Sequence, residues 1–264
     1  MKTELVKVSV EDCLDINDTL LNRCVCLISL DRAHKRNAIT LDMYDALASA
    51  LESAHRGDYP DVSSVVMTGR GGYFTGGNDL SDFITNPPSE DPAHPIRRFM
   101  TALLDIQLPV IAAVEGCAIG IGSTMLAHCD FVYAHPETQF SMPFVPLGLV
   151  PEFASSKLIP ERAGDKRAKE WLLLGKVFSA EEALSGGLIS GIDPSPLSRA
   201  MQTAANLAML PRSALIEAKS LLHTPNRDEV NAVIDAEIDK FSEALKGDAF
   251  KRNVEAFLSR STNG

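Results

Sequence analysis

The sequence has no long hydrophobic run and few cysteines. Its longest apolar stretches, such as residues 110–114, are far shorter than the roughly 20 residues that a membrane-spanning helix needs. Residues 1–10 alternate with Lys and Glu where a secretory signal would be apolar. The five cysteines among 264 residues are an odd number in a chain too large to need disulfides, which predicts reduced thiols. These absences predict a cytoplasmic protein with no membrane partner.

Basic residues are also scarce, and several familiar motifs are missing. The 25 Lys and Arg against 35 Asp and Glu give a net charge of -10, which argues against nucleic acid as a partner. Residues 120–125 lack the third glycine of a dinucleotide fingerprint, and the chain has neither a P-loop nor a G-x-S-x-G nucleophile elbow. His128, Cys129 and His135 have no metal-ligand spacing, so we predict packing for them and no metal site.

What the sequence does contain is an alternation of short Val- and Ile-rich runs with amphipathic segments, which predicts an α/β fold. A helix is predicted from Leu41 to Ala54, with Thr40 as its N-cap and Gly57 at its end. The predicted strands are residues 25–30, 62–68, 110–114 and 131–134. From Asp165 onward the pattern predicts helices, at 172–174, 180–184, 200–209, 214–222 and 230–245.

Two glycine-rich junctions follow predicted strands. Residues 74–79 come after the strand that ends near Thr68, and residues 116–125 come after the strand that ends at Val114 and lead into a helical segment. Glycine lets backbone N–H groups approach a ligand closely, and a helix start adds unpaired donors. The two loops together are suited to hold an anionic oxygen. The alternative is that these glycines serve tight turns only.

Four stretches in this order and spacing resemble the enoyl-CoA hydratase/isomerase (crotonase) superfamily, over about residues 23–190. They are "RAHKRNAITLDMY", "VVMTGRGGYFTGGNDLSDF", "AVEGCAIGIGSTMLAHCDFVYA" and "PFVPLGLVPEFASS". "GNDL" and "PFVPLGLVPE" are most similar to the Δ3,Δ2-enoyl-CoA isomerase branch. The resemblance implies a spiral of β-β-α turns over residues 1–195, a C-terminal helical trimerisation and cap region over 196–264, and a homotrimer or hexamer.

The resemblance also implies catalytic roles. The backbone N–H groups of Asn78 and Ile121 match the two donors that bind the thioester oxygen as it becomes an enolate. Glu152 matches the single catalytic glutamate of the isomerase branch. Thr124 and Phe144 stand at the positions of the two glutamates of the hydratases, and neither side chain ionises usefully. An isomerase is therefore favoured over a hydratase, which needs one group to activate water and another to protonate carbon.

Substrate contacts follow from the same match. Coenzyme A is part of the acyl-CoA substrate, so no separate cofactor is expected. Where Phe153 stands, the family usually has glycine. Two alternatives to the isomerase stay open: a hydratase or another reaction of the superfamily, and a noncatalytic acyl-CoA-binding subunit. The predicted substrate-binding residues are Lys35, Ala38, Gly77, Asn78, Asp79, Leu80, Gly120, Thr124 and Phe144.

Overall fold

The computed structural model describes residues 5–14, 19–59, 61–85, 91–223 and 227–261. The strands are β1 (Val6–Leu14), β2 (Leu20–Leu30), β3 (Val62–Gly69), β4 (Val110–Val114), β5 (Cys117–Ile119), β6 (Phe131–Ala134), β7 (Gln139–Ser141) and β8 (Gly191–Ile192). The helices are α1 (Leu41–Arg56), α2 (Leu80–Thr85), α3 (Pro95–Asp105), α4 (Ile121–Thr124), α5 (Ser155–Ala163), α6 (Asp165–Leu172), α7 (Ala180–Ser185), α8 (Pro196–Ala208), α9 (Arg212–His223), α10 (Arg227–Lys246) and α11 (Asp248–Ser261). Short 3₁₀ helices span Ala33–Lys35, Met125–His128 and Val145–Leu147.

The main sheet has the strand order β1-β2-β3-β4-β6-β8, and a small second sheet pairs β5 with β7. Only β1 and β2 pair antiparallel among these strands; the other neighbours are parallel. Both faces of β3 are covered, so residues 62–68 are all buried, including Ser63 and Ser64. Val65 belongs to the core that contains α1 and α3, whereas its neighbour Val66 faces α8. The period-2 alternation of a strand thus assigns successive residues to opposite layers.

The predicted first helix is confirmed with its caps. The Thr40 side chain accepts a hydrogen bond from the Met43 N–H, and Gly57 ends α1 with φ +79°. Leu47, Ala48, Leu51 and Ala54 of its apolar face are buried, and Leu41 at its start is half-buried. The predicted strands correspond to β2, β3, β4 and β6, and the mixed α/β fold class is confirmed. The division of the chain at residue 195 stays a prediction, and α8, which begins beside it, packs directly on the main sheet.

The prediction of a helix at residues 172–174 was wrong. Helix α6 ends at Leu172, and Leu173 and Leu174 are exposed beyond it. The chain turns away at Gly175, whose φ is +61°, so the leucine run crosses the surface and forms no helical face. Among the described residues, no helix combines the length and apolarity that crossing a membrane requires.

Candidate active site

Two loops meet at the carboxyl ends of β3 and β5. The Thr75 N–H donates to the Cys117 carbonyl (3.0 Å), and the Ile119 N–H donates to the Thr75 carbonyl (3.1 Å). The Thr75 hydroxyl accepts from the Gly77 N–H (3.0 Å). These bonds fix residues 75–78 against residues 117–121, so the two glycine-rich junctions found in the sequence lie side by side.

Gly77 and Gly120 are among the positions in these loops where the backbone requires glycine. Gly77 has φ +91°, and a Cβ added there would lie 2.8 Å from the Ile119 carbonyl oxygen. Gly120 has φ +54° and precedes α4, and its N–H donates to the Ser141 carbonyl (2.9 Å). A side chain at Gly77 would push the loops apart, which explains the bare backbone at this point.

The backbone N–H groups of Asn78 and Ile121 follow these two glycines. Neither donates to another group within the described part of the chain, whereas the Asp79 N–H just beyond donates to the Ile39 carbonyl (2.9 Å). Ile121 is the first residue of α4, where N–H groups lack partners in the helix. The predicted helix after Gly120 is present in a shorter form, since α4 has four residues and continues as a 3₁₀ turn. Both amides are therefore available as donors to a bound oxygen.

Glu152 is a buried carboxylic acid with 4% of its surface exposed. Its Oε1 has no hydrogen-bond partner among the described residues. Burial, with a smaller contribution from the negative charge of Glu237, raises the pKa of Glu152 to about 8. A carboxyl group in this state gains and loses a proton near neutral pH, as proton-transfer chemistry requires.

The chain turns sharply immediately after Glu152. Phe153 and Ala154 have φ values of +58° and +54°, in the left-handed region that favours glycine. The Phe153 ring is fully buried and stacks on His128, with ring centroids 3.8 Å apart. The Phe153 carbonyl also lies 2.8 Å from His128 Nε2. Phenylalanine thus occupies a glycine-like conformation here, and ring packing together with this contact holds it in place.

His128 packs against Phe153 through this ring contact. No group of three or more His, Cys, Asp or Glu residues that could hold a metal ion occurs in the described ranges. The five cysteines are free thiols.

Tyr44 lies beside Asn78 in this site, and no sequence motif predicted a role for it. It is fully buried on α1, and its hydroxyl donates to Asn78 Oδ1. Burial, followed by the charge of Glu152, raises the pKa of Tyr44 well above its ordinary value, so the phenol remains a donor. In the sequence, Tyr44 was one more member of the apolar face of a helix. Only the tertiary structure brings its hydroxyl to Asn78.

Glu237 was also missed, and it comes from α10. Its Oε2 accepts from the Ala154 N–H (2.6 Å) and its Oε1 accepts from the Ser156 N–H (2.9 Å). The side chain is 7% exposed. Burial raises the pKa of Glu237, and the two N–H bonds oppose that effect. No local pattern in α10 distinguishes this glutamate from the exposed ones around it.

The predicted coenzyme A segment lies beside the first loop. The Gly76 N–H donates to the Arg36 carbonyl (2.7 Å), and the Ile39 N–H donates to the Gly77 carbonyl (2.8 Å). Arg32 Nη1 donates hydrogen bonds to the Ala38 carbonyl (2.9 Å) and to Asp79 Oδ2 (2.8 Å). The arginine therefore cross-links two of the segments that were predicted to bind substrate.

The remaining predicted contacts lie around this centre or at the surface. Lys35 is exposed on a 3₁₀ turn, and Leu80 begins α2. Thr124 is buried in α4, and Phe144 packs edge-on against Phe241 of α10. The Phe144 ring also lies 3.9 Å from where a Cβ on Gly120 would stand. The binding roles of these residues stay predictions.

An open pocket of about 500 Å³ lies beside the contact between residues 150–156 and α10. Val150, Pro151 and Ser156 line one side, and Ala232, Val233 and Ala236 line the other. Glu237 also lines it, whereas Glu152, Asn78 and Ile121 do not. The pocket therefore adjoins the turn that carries Glu152 without containing the predicted reacting groups.

Comparison with known proteins identifies the family of this chain. Residues 21–263 match the family model described as enoyl-CoA hydratase/isomerase. Human "Enoyl-CoA delta isomerase 2" is 33% identical over 243 residues, which cover 89% of this chain and 61% of that protein, so the chain spans about three fifths of this relative. The Escherichia coli "1,2-epoxyphenylacetyl-CoA isomerase" is 31% identical over 89% of this chain and 92% of its own length.

A solved structure of OdaA from Pseudomonas aeruginosa superposes with a TM-score of 0.88 and 39% identity, covering 97% of this chain and 99% of that one. The neighbours thus share the complete fold. The match of the family model to nearly the whole chain carries the assignment. This protein belongs to the enoyl-CoA hydratase/isomerase family, the crotonase superfamily, with similarity to its isomerase branch, and its family acts on acyl-CoA thioesters.

Proposed function

We propose that this protein is a Δ3,Δ2-enoyl-CoA isomerase in which Glu152 carries the proton. The Glu152 carboxylate removes a proton from the α carbon of a 3-enoyl thioester. The electrons move into a dienolate, whose oxygen accepts hydrogen bonds from the N–H groups of Asn78 and Ile121. Glu152 then returns the proton to the γ carbon, which leaves the conjugated 2-enoyl thioester. Atoms and electrons balance without any co-reactant.

The observation that carries the proposal is the state of Glu152. It is buried, its Oε1 has no partner among the described residues, and its pKa is raised to about 8. One carboxyl group that gains and loses the same proton is sufficient for a double-bond shift. Preorganised N–H donors at the developing oxyanion each supply a few kcal/mol of transition-state stabilisation.

Hydration is less well supported because a second acid or base is missing. Thr124 and Phe144 cannot ionise usefully at the hydratase positions. The other buried carboxylate near Glu152 is Glu237, and both of its oxygens already accept main-chain hydrogen bonds. It is therefore poorly placed to activate a water molecule.

The proposed substrate is an acyl-CoA thioester, with coenzyme A entering as part of the substrate and no separate cofactor. Lys35, Ala38, Asp79 and Leu80 are proposed to line the coenzyme A path, and a homotrimer or hexamer is the proposed assembly. The relative named for 1,2-epoxyphenylacetyl-CoA supports a competing isomerisation. A substrate panel that includes both thioester types separates the two.

The test is Glu152→Gln, assayed with 3-enoyl-CoA thioesters of several chain lengths. We expect conversion to 2-enoyl-CoA to fall by about 10³-fold, because the amide cannot take the proton. Exchange of the α proton in deuterated water should fall in parallel. Retained isomerisation in the variant would contradict the assignment. Tight thioester binding by the wild type without turnover or exchange would favour the noncatalytic binding subunit.

The matched control is Glu243→Gln, which changes an exposed glutamate on α10 that pairs with Lys240. It removes the same charge from a side chain that is 70% exposed. We expect isomerase activity within twofold of the wild type, since an exposed ion pair contributes little.

A further inference from the structure

We infer that Glu237 is a positioning residue for the proposed proton shuttle. Its carboxylate holds the turn after Glu152, and because Glu237 keeps the negative charge, Glu152 keeps the proton. The inference rests on the proposed function. Glu237 does not need to contact the substrate, because it acts through the backbone and the charge of its neighbour. Four features of the structure support it.

The first feature is an N-terminus of α5 that lacks a cap of its own. The residue before the helix is Ala154, which has no side chain able to accept a hydrogen bond. Glu237 Oε2 and Oε1 instead accept from the N–H groups of Ala154 and Ser156, across 83 and 81 residues of sequence. A carboxylate at this position satisfies unpaired donors and complements the positive end of the helix dipole.

The second feature is the backbone that Glu237 restrains. Phe153 and Ala154 are non-glycine residues with positive φ, a conformation that persists only where the surroundings impose it. The Ala154 amide is one of the two that Glu237 binds, and Glu152 directly precedes this pair. Losing the carboxylate would allow the turn to relax and would change the direction of the Glu152 side chain.

The third feature is the unequal hydrogen bonding of the two buried carboxyl groups. Glu237 uses both oxygens as acceptors, which favours its charged form, while Oε1 of Glu152 has no partner among the described residues. When two acidic groups are close, the one with more donors keeps the negative charge and the other keeps the proton. The geometry therefore assigns the charge to Glu237 and the proton to Glu152.

The fourth feature is that the surrounding charges are already balanced. Lys157 of α5 pairs with Glu161 and with Glu229, and Arg97 of α3 pairs with Asp235. Helix α11 contributes the buried apolar residues Phe250 and Val254. Further titratable groups beside the pair, within the part of the chain that the structure describes, are Tyr44 on α1, His128 against Phe153, and Lys240, which lines the 500 Å³ pocket and pairs with Glu243.

Glu237→Gln tests the inference, because glutamine keeps the size and one acceptor while removing the charge. We expect the rising limb of the pH profile of kcat/KM, which follows ionisation of Glu152, to move about one pH unit lower. The plateau kcat should fall about fivefold as the turn loosens, with KM within twofold. Glu170→Gln on α6, which removes an exposed carboxylate paired with Lys176, is the control and should leave the limb at its wild-type pH.

Infrared titration gives a readout that does not depend on turnover. The band of a protonated carboxylic acid that disappears in Glu152→Gln reports Glu152. In Glu237→Gln this band should vanish at a pH about one unit lower than in the wild type. If the band and the limb both stay where they are, the inference is wrong even when Glu152 is essential for activity. If the band moves but the wild type does not isomerise, the effect of Glu237 on Glu152 is supported and the proposed function fails.

Glu237→Asp provides a second variant, since it retains the charge on a shorter side chain. If Glu237→Gln does not fold, the aspartate variant decides. In Glu237→Asp the Glu152 band should keep its wild-type position, and a lowered position contradicts the inference. In Glu237→Gln, a loss of thermal stability without any movement of the band or the limb would show a capping role only and would contradict the inference.

Discussion

The loops that carry Asn78 and Ile121 are fixed by main-chain hydrogen bonds, whereas the turn that carries Glu152 depends on a side chain from a distant helix. In the first region, Thr75 pairs with Cys117 and Ile119 as strands do. In the second, Glu237 of α10 supplies the acceptors. The proposed oxyanion site is therefore an extension of the sheets, and the proposed proton shuttle is a tertiary contact.

This difference matches the chemistry proposed for each region. Oxyanion donors must stay in place while charge develops, and a backbone tied on both sides does not reorganise. A proton shuttle instead needs a carboxyl group removed from water with a pKa near neutrality. Burial of that kind lowers stability, and the structure around Glu152 has to offset the cost elsewhere.

The largest expected effect concerns the pH dependence of stability in the Glu152 region. Glu152 has a pKa of about 8 when folded and an ordinary value of 4.5, so the folded state alone binds a proton between these pH values. Wild-type stability therefore falls as pH rises from 4.5 to 8, by roughly 3 to 5 kcal/mol. Glu152→Gln lacks this loss and should unfold at higher urea concentration than the wild type at pH 9.

Urea unfolding at fixed protein concentration between pH 4.5 and 9 measures this difference. Glu243→Gln, which removes an exposed carboxyl group from α10, should follow the wild-type pH dependence. An equal pH dependence in Glu152→Gln and the wild type would mean that burial does not perturb this carboxyl group. The contrast between the two regions would then disappear.

The next effect tests the backbone region. Gly77→Ala forces a Cβ to within 2.8 Å of the Ile119 carbonyl oxygen at φ +91°. We expect kcat/KM to fall by about 10²-fold, which is the cost of misplacing one oxyanion donor. Steady-state kinetics with a 3-enoyl-CoA measures it. The α-proton exchange rate should fall by the same factor.

Gly57→Ala is the matched control for that substitution. Gly57 has φ +79° at the end of α1, and a Cβ there would meet nothing within 4 Å. Both variants carry the strain of a positive φ, about 1 kcal/mol, but only Gly77→Ala disturbs the two loops. Equal kinetic losses in both would show that general instability, and not the oxyanion geometry, reduces the rate.

The smallest effect concerns Tyr44, which joins the two regions. Tyr44→Phe removes the hydroxyl that donates to Asn78 Oδ1 and keeps the ring that packs against Phe99. Because one buried acceptor loses its donor, we expect a five- to tenfold loss in kcat, or about 1 kcal/mol. Kinetics at saturating substrate measures this loss.

Tyr133→Phe is its control. The Tyr133 hydroxyl accepts from the Thr203 hydroxyl (2.9 Å) between the main sheet and α8. Removing it should lower stability by a similar amount and leave kcat unchanged. A normal kcat in Tyr44→Phe would show that the backbone N–H of Asn78 works without the hydrogen bond to its side chain.

Much of the fold could be predicted because it follows from local patterns. The apolar runs of β3 and β4 predict strands buried on both faces, and Thr40 with Gly57 sets both ends of α1. Strand β1 was not predicted, because most of its residues are exposed and carry no apolar run. The helix predicted at residues 172–174 was wrong because a run of leucines does not show where a chain turns, and this chain turns at Gly175.

The candidate site divides in the same way. Asn78, Ile121 and Glu152 were named from motifs that resemble the family, and their roles stay predictions until tested. Tyr44 and Glu237 had no such signal. An aromatic residue on an apolar helix face and a glutamate on an amphipathic helix are ordinary features of their helices.

By itself, the sequence determined the α/β layering, the glycine-rich backbone that two neighbouring loops require, and the family to which the chain belongs. Only the tertiary structure decided which buried polar groups meet. Local patterns specify backbone conformation and which faces are apolar. The contact between Glu237 and the turn after Glu152 joins residues more than 80 positions apart, so it exists only once α10 has packed against α5.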